Sequence, residues 1–192
     1  LTMPASDPGW LKGFSGGFLT LAQIHNVALI GGDTTSGPLS ITITAHGFVE
    51  PGLALRRSGA RAGDRIYVTG SLGDAGLALL ALQGGYPAGD GLAQLQRRLD
   101  CPQPRLAAGK AMKGIATAVI DISDGLVSDL GHICNRSGVG AMVHLDQIPT
   151  SPQVQAYLQQ GGEWGTVVAA GDDYELCITV PPAQESRLDS IR

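Results

Sequence analysis

Apolar residues recur at helical spacing near the start of the chain, at Leu11, Phe14, Phe18 and Leu21. They share one face of a helix, and Asp7-Pro8 supplies a capping carboxylate followed by proline at the first helical position. The pattern predicts a helix that ends near Asn26. Beyond it, a short apolar run predicts a strand at 27–30, and alternation of apolar with polar side chains predicts another at 39–46.

A second series of strands and helices follows an irregular, glycine-rich and basic segment, "PGLALRRSGARAGD" at 51–64. We therefore expect a domain boundary near residue 52, with one domain over 1–52 and a second over 53–192. The hydrophobic patterns of the second domain predict strands at 66–69, 117–122, 141–145 and 175–180, and helices at 74–83, 92–99, 105–112, 124–136 and 153–159. Because strands and helices alternate, the predicted fold class is α/β, with α+β layering.

Three loops repeat one arrangement, in which an apolar strand is followed by glycine and aspartate. They read "VALIGGDTTSG" (27–37), "TAVIDISDGL" (117–126) and "VVAAGDDYEL" (167–176). Ligands of α/β proteins gather beyond the carboxyl ends of strands, where small loops leave backbone groups free. Each loop taken alone is typical of an ordinary turn. The repetition predicts a ligand site.

The second of these loops places charge directly beside a predicted core strand. Ser123 as a helix cap and Asp124 as a partner of the helix dipole have a structural explanation. Asp121 has none, because an unpaired carboxylate at the end of a buried strand costs on the order of several kcal/mol. A bound Mg²⁺ ion, which prefers carboxylate oxygens, would remove that cost. Asp129, one helical turn further on, is predicted to be a solvated helix position.

Three other features keep two interpretations open. Gly32-Asp33 is typical of a wide turn, or it offers amides to a phosphate and a carboxylate to a cation. Arg56-Arg57 is an ordinary surface pair, or Arg57 clamps a nucleotide phosphate from a segment between two domains. Asp172-Asp173 is typical of a turn, or it belongs to the same ligand site.

Composition and charge exclude several classes of function. The formal net charge is −4 and lysine and arginine form only short pairs, so a nucleic-acid footprint is missing. The sequence has no apolar stretch of about 18 residues, so we expect no membrane span. Zinc-binding, serine-hydrolase, P-loop and GxGxxG patterns are also missing. Three widely spaced cysteines fit reduced thiols in the cytoplasm.

In order along the chain, four segments resemble thiamine-monophosphate kinase: "LIGGDTTSGPLSITITAHG", "ALRRSGARAGDRIYVTGSLGDA", "IDISDGLVSDLGHI" and "GDDYELCITVP". The resemblance implies the two-domain synthetase-like fold shared with aminoimidazole ribonucleotide synthetase and selenophosphate synthetase. Residues 1–52 would then be the end of an amino-terminal domain that binds ATP and metal and forms dimers. Residues 53–192 would be a truncated carboxyl-terminal α/β domain. We therefore expect the amino-terminal part and the extreme carboxyl terminus to be missing.

The function that the resemblance implies is ATP-dependent phosphorylation of thiamine monophosphate to thiamine diphosphate by direct Mg²⁺-assisted phosphoryl transfer, without a protein nucleophile. Motif matching implies ATP contacts at Gly32, Asp33, Arg57 and Ser123, metal ligands at Asp33, Asp121 and Asp124, and a substrate contact at Asp172. Many members carry glutamate where this chain has Asp172. Several Mg²⁺ ions are expected between the two polyanionic substrates.

The same resemblance implies a cytoplasmic homodimer for the whole protein, and little or no kinase activity for the fragment alone. Two alternatives remain. The first is another ATP-dependent enzyme of the same superfamily, with a different acceptor. The second is a non-catalytic metal-binding or assembly fragment, in which the aspartates serve only as caps and turns.

Overall fold

The computed structural model describes residues 1–190 and divides the chain into two compact units, Leu1–Phe48 and a larger unit from Val49 onward. In the first unit, strand β1 (Thr2–Met3) pairs in parallel with β2 (Thr35–Ser36), and helix α1 (Pro8–Ile24) lies between them in sequence. Asp7 caps α1, because its Oδ1 accepts hydrogen bonds from the amides of Gly9 and Trp10 at 2.8 and 3.1 Å. The predicted helix start is therefore confirmed.

The two strands predicted at 27–30 and 39–46 are not formed, apart from a single bridge between Ser40 and Thr2. Their apolar side chains are exposed, with Ile30 at 84% and Ile43 at 65%. A strand is stable only when a neighbouring strand satisfies its backbone groups. Among residues 1–48, the described chain supplies only β1 and β2, each of two residues. The predictions of strands at 27–30 and 39–46 are therefore wrong, and the apolar and polar residues of 39–46 are exposed alike.

The second unit contains a three-stranded antiparallel sheet of β3 (Arg65–Val68), β4 (Ala118–Asp121) and β5 (Leu176–Val180). The strand order is β3-β5-β4, so the last strand in sequence is central. Val68 pairs with Cys177 and Asp121 pairs with Leu176. As a result, β3 and β4 end at the edge of the sheet where β5 begins. The predictions at 66–69, 117–122 and 175–180 are confirmed to within two residues.

The predicted strand at 141–145 is absent, because this segment pairs with none of the strands in the described chain and leads into a short 3₁₀ turn at Leu145–Gln147. Six helices surround the sheet: α2 (Asp74–Leu82), α3 (Leu92–Asp100), α4 (Leu106–Ala111), α5 (Leu126–Ser137), α6 (Pro152–Gln159) and α7 (Gly165–Val168). The first five confirm the predicted helices. Helix α7 corrects the prediction that "VVAAGDDYEL" begins with a strand.

The helices cover both faces of the sheet. Successive residues of β5 alternate between two hydrophobic clusters, with Cys177 in the main cluster and Ile178 and Val180 in a smaller one. The main cluster is built by α2, α3, α5, α6 and α7, and its fully buried members include Leu72, Leu77, Leu95, Ile133, Val154 and Val167. The smaller cluster is formed with Met112 and Ile115, which follow α4. This layering confirms the predicted α/β class.

Cys101, Cys134 and Cys177 are all unpaired thiols. Within residues 1–190, no helix has both the length and the apolar character needed to cross a bilayer.

Candidate functional site

Three loops meet at the sheet edge where β3 and β4 end and β5 begins: residues 69–73, 122–125 and 171–175. The second and third are joined by their backbones. The amide of Asp172 donates to the carbonyl of Ser123 at 3.0 Å, and the amide of Tyr174 donates to the carbonyl of Ile122 at 2.9 Å. Two of the three loops that share the glycine-aspartate pattern therefore lie side by side.

The close contact between these two loops depends on glycine at two positions. A Cβ atom on Gly171 would lie 2.1 Å from the carbonyl oxygen of Ser123, which no side chain can tolerate. A Cβ atom on Gly125 would lie 2.9 Å from the carbonyl carbon of Ala169, and Gly125 also has a φ of 104°. The glycines in the DGL and GDD motifs thus allow the backbones to approach.

The joined loops bring three of the predicted site residues together: Asp124 and Asp172 lie in the paired loops, and Asp121, the last residue of β4, pairs with Leu176. Partial burial raises the pKa of Tyr174, and so do the charge of Asp172, hydrogen bonding with Asp172, and the charges of Asp121 and Asp124. All three carboxylates are exposed to solvent. Their oxygen donors and their accessibility fit a hard cation such as Mg²⁺, which keeps part of its water shell.

The 171–175 loop also has an unusual backbone. Asp172 and Tyr174 adopt left-handed conformations, with φ values of 67° and 50°. Such conformations are uncommon outside glycine, and in folded proteins they concentrate at functional sites. The strain is held by the backbone hydrogen bonds to the 122–125 loop.

Asp129 is not the solvated residue that the sequence predicted. Its side chain is only 2% exposed, and its Oδ2 accepts hydrogen bonds from the amides of Ser123 and Asp124, both at 3.0 Å. The prediction failed because Asp129 belongs to the buried stripe of α5, together with Leu126, Leu130 and Ile133. Those four positions follow the i, i+3, i+4, i+7 spacing, which is a signal that the sequence contained.

Ser123 is also not the cap of this helix. Helix α5 begins at Leu126 with Gly125 at its N-cap, and no side chain caps it. Ser123 and Asp124 precede the helix, and the Asp129 carboxylate binds their amides instead. Ligand atoms of Asp124, Asp129 and His132 all lie within 4.8 Å of one another, so a cation held by Asp124 would also lie near Asp129.

A buried ionic network, which the sequence did not predict, supports the 171–175 loop. Glu175 is 1% exposed, and its carboxylate accepts hydrogen bonds from Arg98 Nη2 at 2.8 Å, Arg105 Nε at 2.6 Å and Thr69 Oγ1 at 2.5 Å. Burial acts to raise the pKa of Glu175, but the hydrogen bonds from Arg105, Thr69 and Arg98 outweigh it and hold that pKa below its usual value.

Asp173 joins the same loop to the start of α2. It is 4% exposed, and its carboxylate accepts hydrogen bonds from the amides of Gly73 at 2.9 Å and Ala75 at 3.4 Å. Burial raises the pKa of Asp173 to about 6, although these amides act to lower it. The Asp-Asp pair is therefore divided between an exposed residue at the site and a buried residue beneath it.

The remaining predicted residues lie elsewhere. Gly32 and Asp33 are exposed in the first unit, where Asp33 Oδ1 accepts a local hydrogen bond from the amide of Thr34 at 2.8 Å. Arg57 is exposed in the second unit, in a segment held against β4 by a 2.8 Å hydrogen bond from the amide of Val119 to the carbonyl of Arg56. A cleft of about 680 Å³ lies along β3 and residues 140–149, and none of the predicted site residues lines it.

Comparison with known proteins identifies the family. Residues 61–188 match the family described as AIR synthase related protein, C-terminal domain. The chain belongs to this family. The AIR synthase related chain is 45% identical over 192 residues to thiamine-monophosphate kinase of Salmonella typhimurium, covering 98% of this chain and 59% of that relative. It therefore spans less than two thirds of the relative's length.

Solved structures agree with the sequence match. The crystal structure of thiamine-monophosphate kinase from Stenotrophomonas maltophilia K279a superposes with a TM-score of 0.91 at 42% identity, covering 100% of this chain and 62% of that chain. The structure described as AaThiL complexed with AMPPCP and TMP gives a TM-score of 0.78 at 26% identity, covering 95% of this chain and 60% of that one. The resemblance that the motifs predicted, and the synthetase-like fold that it implied, are confirmed.

Proposed function

We propose that the protein containing this chain is a thiamine-monophosphate kinase, which transfers the terminal phosphoryl group of ATP to thiamine monophosphate and forms thiamine diphosphate. The name of the Salmonella relative supports the activity. The AaThiL complex supports both substrates, since it contains AMPPCP and TMP. The single observation in this chain that carries the proposal is that the hydrogen-bonded 122–125 and 171–175 loops bring together three exposed carboxylates, Asp121, Asp124 and Asp172.

The chemistry explains why carboxylates are needed where two phosphorylated substrates meet. The acceptor is itself a phosphate, so its attack on ATP brings two polyanions together. One pair of like charges about 4 Å apart costs about 4 kcal/mol at an effective dielectric constant near 20. Bound Mg²⁺ ions would neutralise this repulsion and align the reacting oxygens. The carboxylates of Asp121 and Asp124 would hold the ions.

The remaining residues have roles that follow from their positions and from motif matching. Asp172 lies exposed in the adjacent loop and is proposed to contact thiamine monophosphate. Ser123 and Arg57 are proposed to contact ATP in the second unit, and Gly32 and Asp33 to contact ATP and metal in the first. No residue needs to act as a base, because the attacking phosphate oxygen is already anionic at neutral pH.

We also propose a cytoplasmic homodimer, with several Mg²⁺ ions per active site. The three unpaired cysteines support a reducing compartment. The homodimer rests on the family resemblance. Because the chain covers 59% of its Salmonella relative, we propose that it has little or no kinase activity alone.

The test uses the full-length gene product that contains this chain. Asp121→Asn keeps the size of the side chain but removes its charge, so it should abolish most thiamine diphosphate formation while the circular dichroism spectrum stays unchanged. Asp90→Asn is a matched control, because Asp90 is an exposed aspartate in a 3₁₀ turn outside the three loops. Turnover by Asp121→Asn at the wild-type rate would contradict the metal role of Asp121.

The same preparation separates the alternatives. If thiamine monophosphate is not phosphorylated but another acceptor is, the protein is a different ATP-dependent enzyme of the superfamily. Calorimetry with Mg²⁺ and a non-hydrolysable ATP analogue addresses the other alternative. A non-catalytic fragment in which the aspartates serve only as caps and turns predicts no heat of binding.

A further inference from the structure

Asp129 is a buried charge to which the proposed chemistry assigns no role. Its carboxylate lies in the apolar stripe of α5, where a leucine would extend the core formed by Leu126, Leu130 and Ile133. Burying a carboxylate is unfavourable unless hydrogen bonds compensate for the lost water. Asp129 is therefore retained at a position where an apolar residue would be the simplest choice for stability.

The hydrogen bonds that compensate for this burial come from the loop that carries the site. Oδ2 of Asp129 accepts hydrogen bonds from the backbone amides of Ser123 and Asp124, with both N–O distances at 3.0 Å. No other hydrogen bond to this carboxylate occurs in the described chain, and its position in the first turn of α5 adds the favourable helix dipole. The carboxylate thus binds the two residues that immediately follow Ile122 and precede Gly125.

The 122–125 loop is held from two sides. Asp129 binds the amide of Ser123, while the amide of Asp172 donates to the carbonyl of the same residue. Removal of the Asp129 carboxylate would free the amides of Ser123 and Asp124, and the loop would keep its backbone hydrogen bonds at Ile122 and at the carbonyl of Ser123. The direction in which the Asp124 side chain points would then no longer be fixed relative to Asp121 and Asp172.

The charge of Asp129 has an effect of its own. Its ligand oxygen lies within 4.8 Å of those of Asp124 and His132. A second negative charge so close to Asp124 is unfavourable when the site is empty and favourable when a cation is bound. Both effects, orientation and charge, increase the affinity of Asp124 for a cation.

We propose that Asp129 is the positioning residue of this site: it orients the loop that presents Ser123 and Asp124, and its charge raises the cation affinity of the neighbouring carboxylates. The inference rests on the proposed metal role of Asp121 and Asp124. Hydrogen-bonding partners of this kind behind metal ligands, when removed, cost about 10–100-fold in metal affinity.

The test measures Mn²⁺ binding to the full-length gene product by calorimetry, without nucleotide or thiamine monophosphate. Mn²⁺ takes the same octahedral oxygen ligands as Mg²⁺ and generally binds more tightly. Asp129→Ala removes both the hydrogen bonds and the charge, and should weaken Mn²⁺ binding by about 10-fold or more. Asp129→Asn keeps an oxygen that can accept both amides and should lie between Asp129→Ala and wild type.

Ile133→Val is the matched control, because it removes one buried methylene from the same helix without touching the loop. It should lower the melting temperature and leave Mn²⁺ affinity unchanged. Three results would overturn the proposal: no Mn²⁺ binding by the wild type, wild-type affinity in Asp129→Ala, or equal weakening by Ile133→Val. If Asp129→Ala does not fold, Asp129→Asn decides in its place, and wild-type affinity in that variant also overturns the proposal.

The activity assay is kept separate from the binding assay. Failure of the wild-type protein to form thiamine diphosphate would contradict the proposed function, while the comparison of Mn²⁺ affinities would still decide the role of Asp129. Equal Mn²⁺ affinities in Asp129→Asn and Asp129→Ala would assign the effect to charge alone and overturn the orienting role.

Discussion

Glu175→Gln barely changes the shape of a buried side chain and should nevertheless cause a large loss of stability. The wild-type carboxylate accepts hydrogen bonds from Arg98, Arg105 and Thr69. A glutamine amide has one accepting oxygen and an NH₂ group, which would face guanidinium donors. At least one arginine would then lose a hydrogen-bond partner. Arg105 would lose its compensating negative charge, whereas Arg98 would keep Asp74, whose Oδ2 lies 3.5 Å from its Nε.

The expected loss follows from the burial of the three side chains. Breaking a buried ion pair costs about 3–5 kcal/mol, because a charge is left without compensation. Side-chain exposures of 24% for Arg98 and 31% for Arg105 let water replace part of the interaction. We therefore expect Glu175→Gln to lower the free energy of unfolding by about 3 kcal/mol. With a typical dependence of that free energy on urea concentration, the midpoint of unfolding would fall by about 1–2 M urea.

Urea unfolding followed by the fluorescence of Trp164 measures this loss. Trp10→Phe serves as the background, since Trp10 and Trp164 are the two tryptophans of the chain and lie in different units. Glu185→Gln is the control: Glu185 pairs with Arg65 at 2.7 Å, but the two side chains are 32% and 65% exposed. An exposed pair of this kind contributes less than about 1 kcal/mol.

Acidification provides a second check on Glu175. Because its folded pKa is lowered, its contribution to stability is present above the ordinary value of 4.5 and is lost as the pH falls through the folded pKa. The difference between wild type and Glu175→Gln should therefore narrow on acidification. If Glu175→Gln costs no more than Glu185→Gln at neutral pH, burial of the network does not matter for stability and the reasoning is wrong.

Two further substitutions test the contacts around the site. Gly171→Ala places a Cβ atom 2.1 Å from the Ser123 carbonyl oxygen. It should lower the free energy of unfolding, measured in urea, by about 1–3 kcal/mol and reduce the proposed kinase activity. The control is Gly131→Ala, whose Cβ atom would meet nothing within 4 Å, so its effect on stability should be neutral or favourable. Asp173 has its pKa raised from 3.8 to about 6, so the stability that it contributes below its unfolded pKa is lost as the pH rises through about 6. The free energy of unfolding of Asp173→Asn should therefore rise by about 3 kcal/mol relative to that of the wild type between about pH 4 and about pH 8. A difference between the two proteins that stays constant across that range would contradict this.

Local signals in the sequence predicted helices well. Asp7-Pro8 marked the start of α1, and α5 ends at Ser137, one residue beyond its predicted end, where Gly138 follows with a φ of 68°. Both depend on contacts within a few residues, so the sequence around them contains all the information needed. Strands were predicted less well, since an alternating pattern specifies which side chains share a face but not which strand will pair with them.

The site residues were also predicted only in part from the sequence. The glycine-aspartate pattern and the family resemblance together selected Asp121, Asp124 and Asp172, and backbone pairing brings the segments that carry them together. The groups that support them could not be predicted from local patterns. Glu175 meets Arg98 and Arg105 across 77 and 70 residues of sequence. Asp129 could have been predicted, because it occupies a core position in the helical repeat.

The central position of β5 has a consequence for the order in which the protein is made. Within residues 1–190, strands β3 and β4 do not pair with each other, and each pairs only with β5, which begins at Leu176. A nascent chain can therefore form its helices early, but its two outer strands have no partner until β5 leaves the ribosome. Until then their unpaired edges are open to association with other chains, so β5 is the segment whose delayed synthesis would most endanger folding.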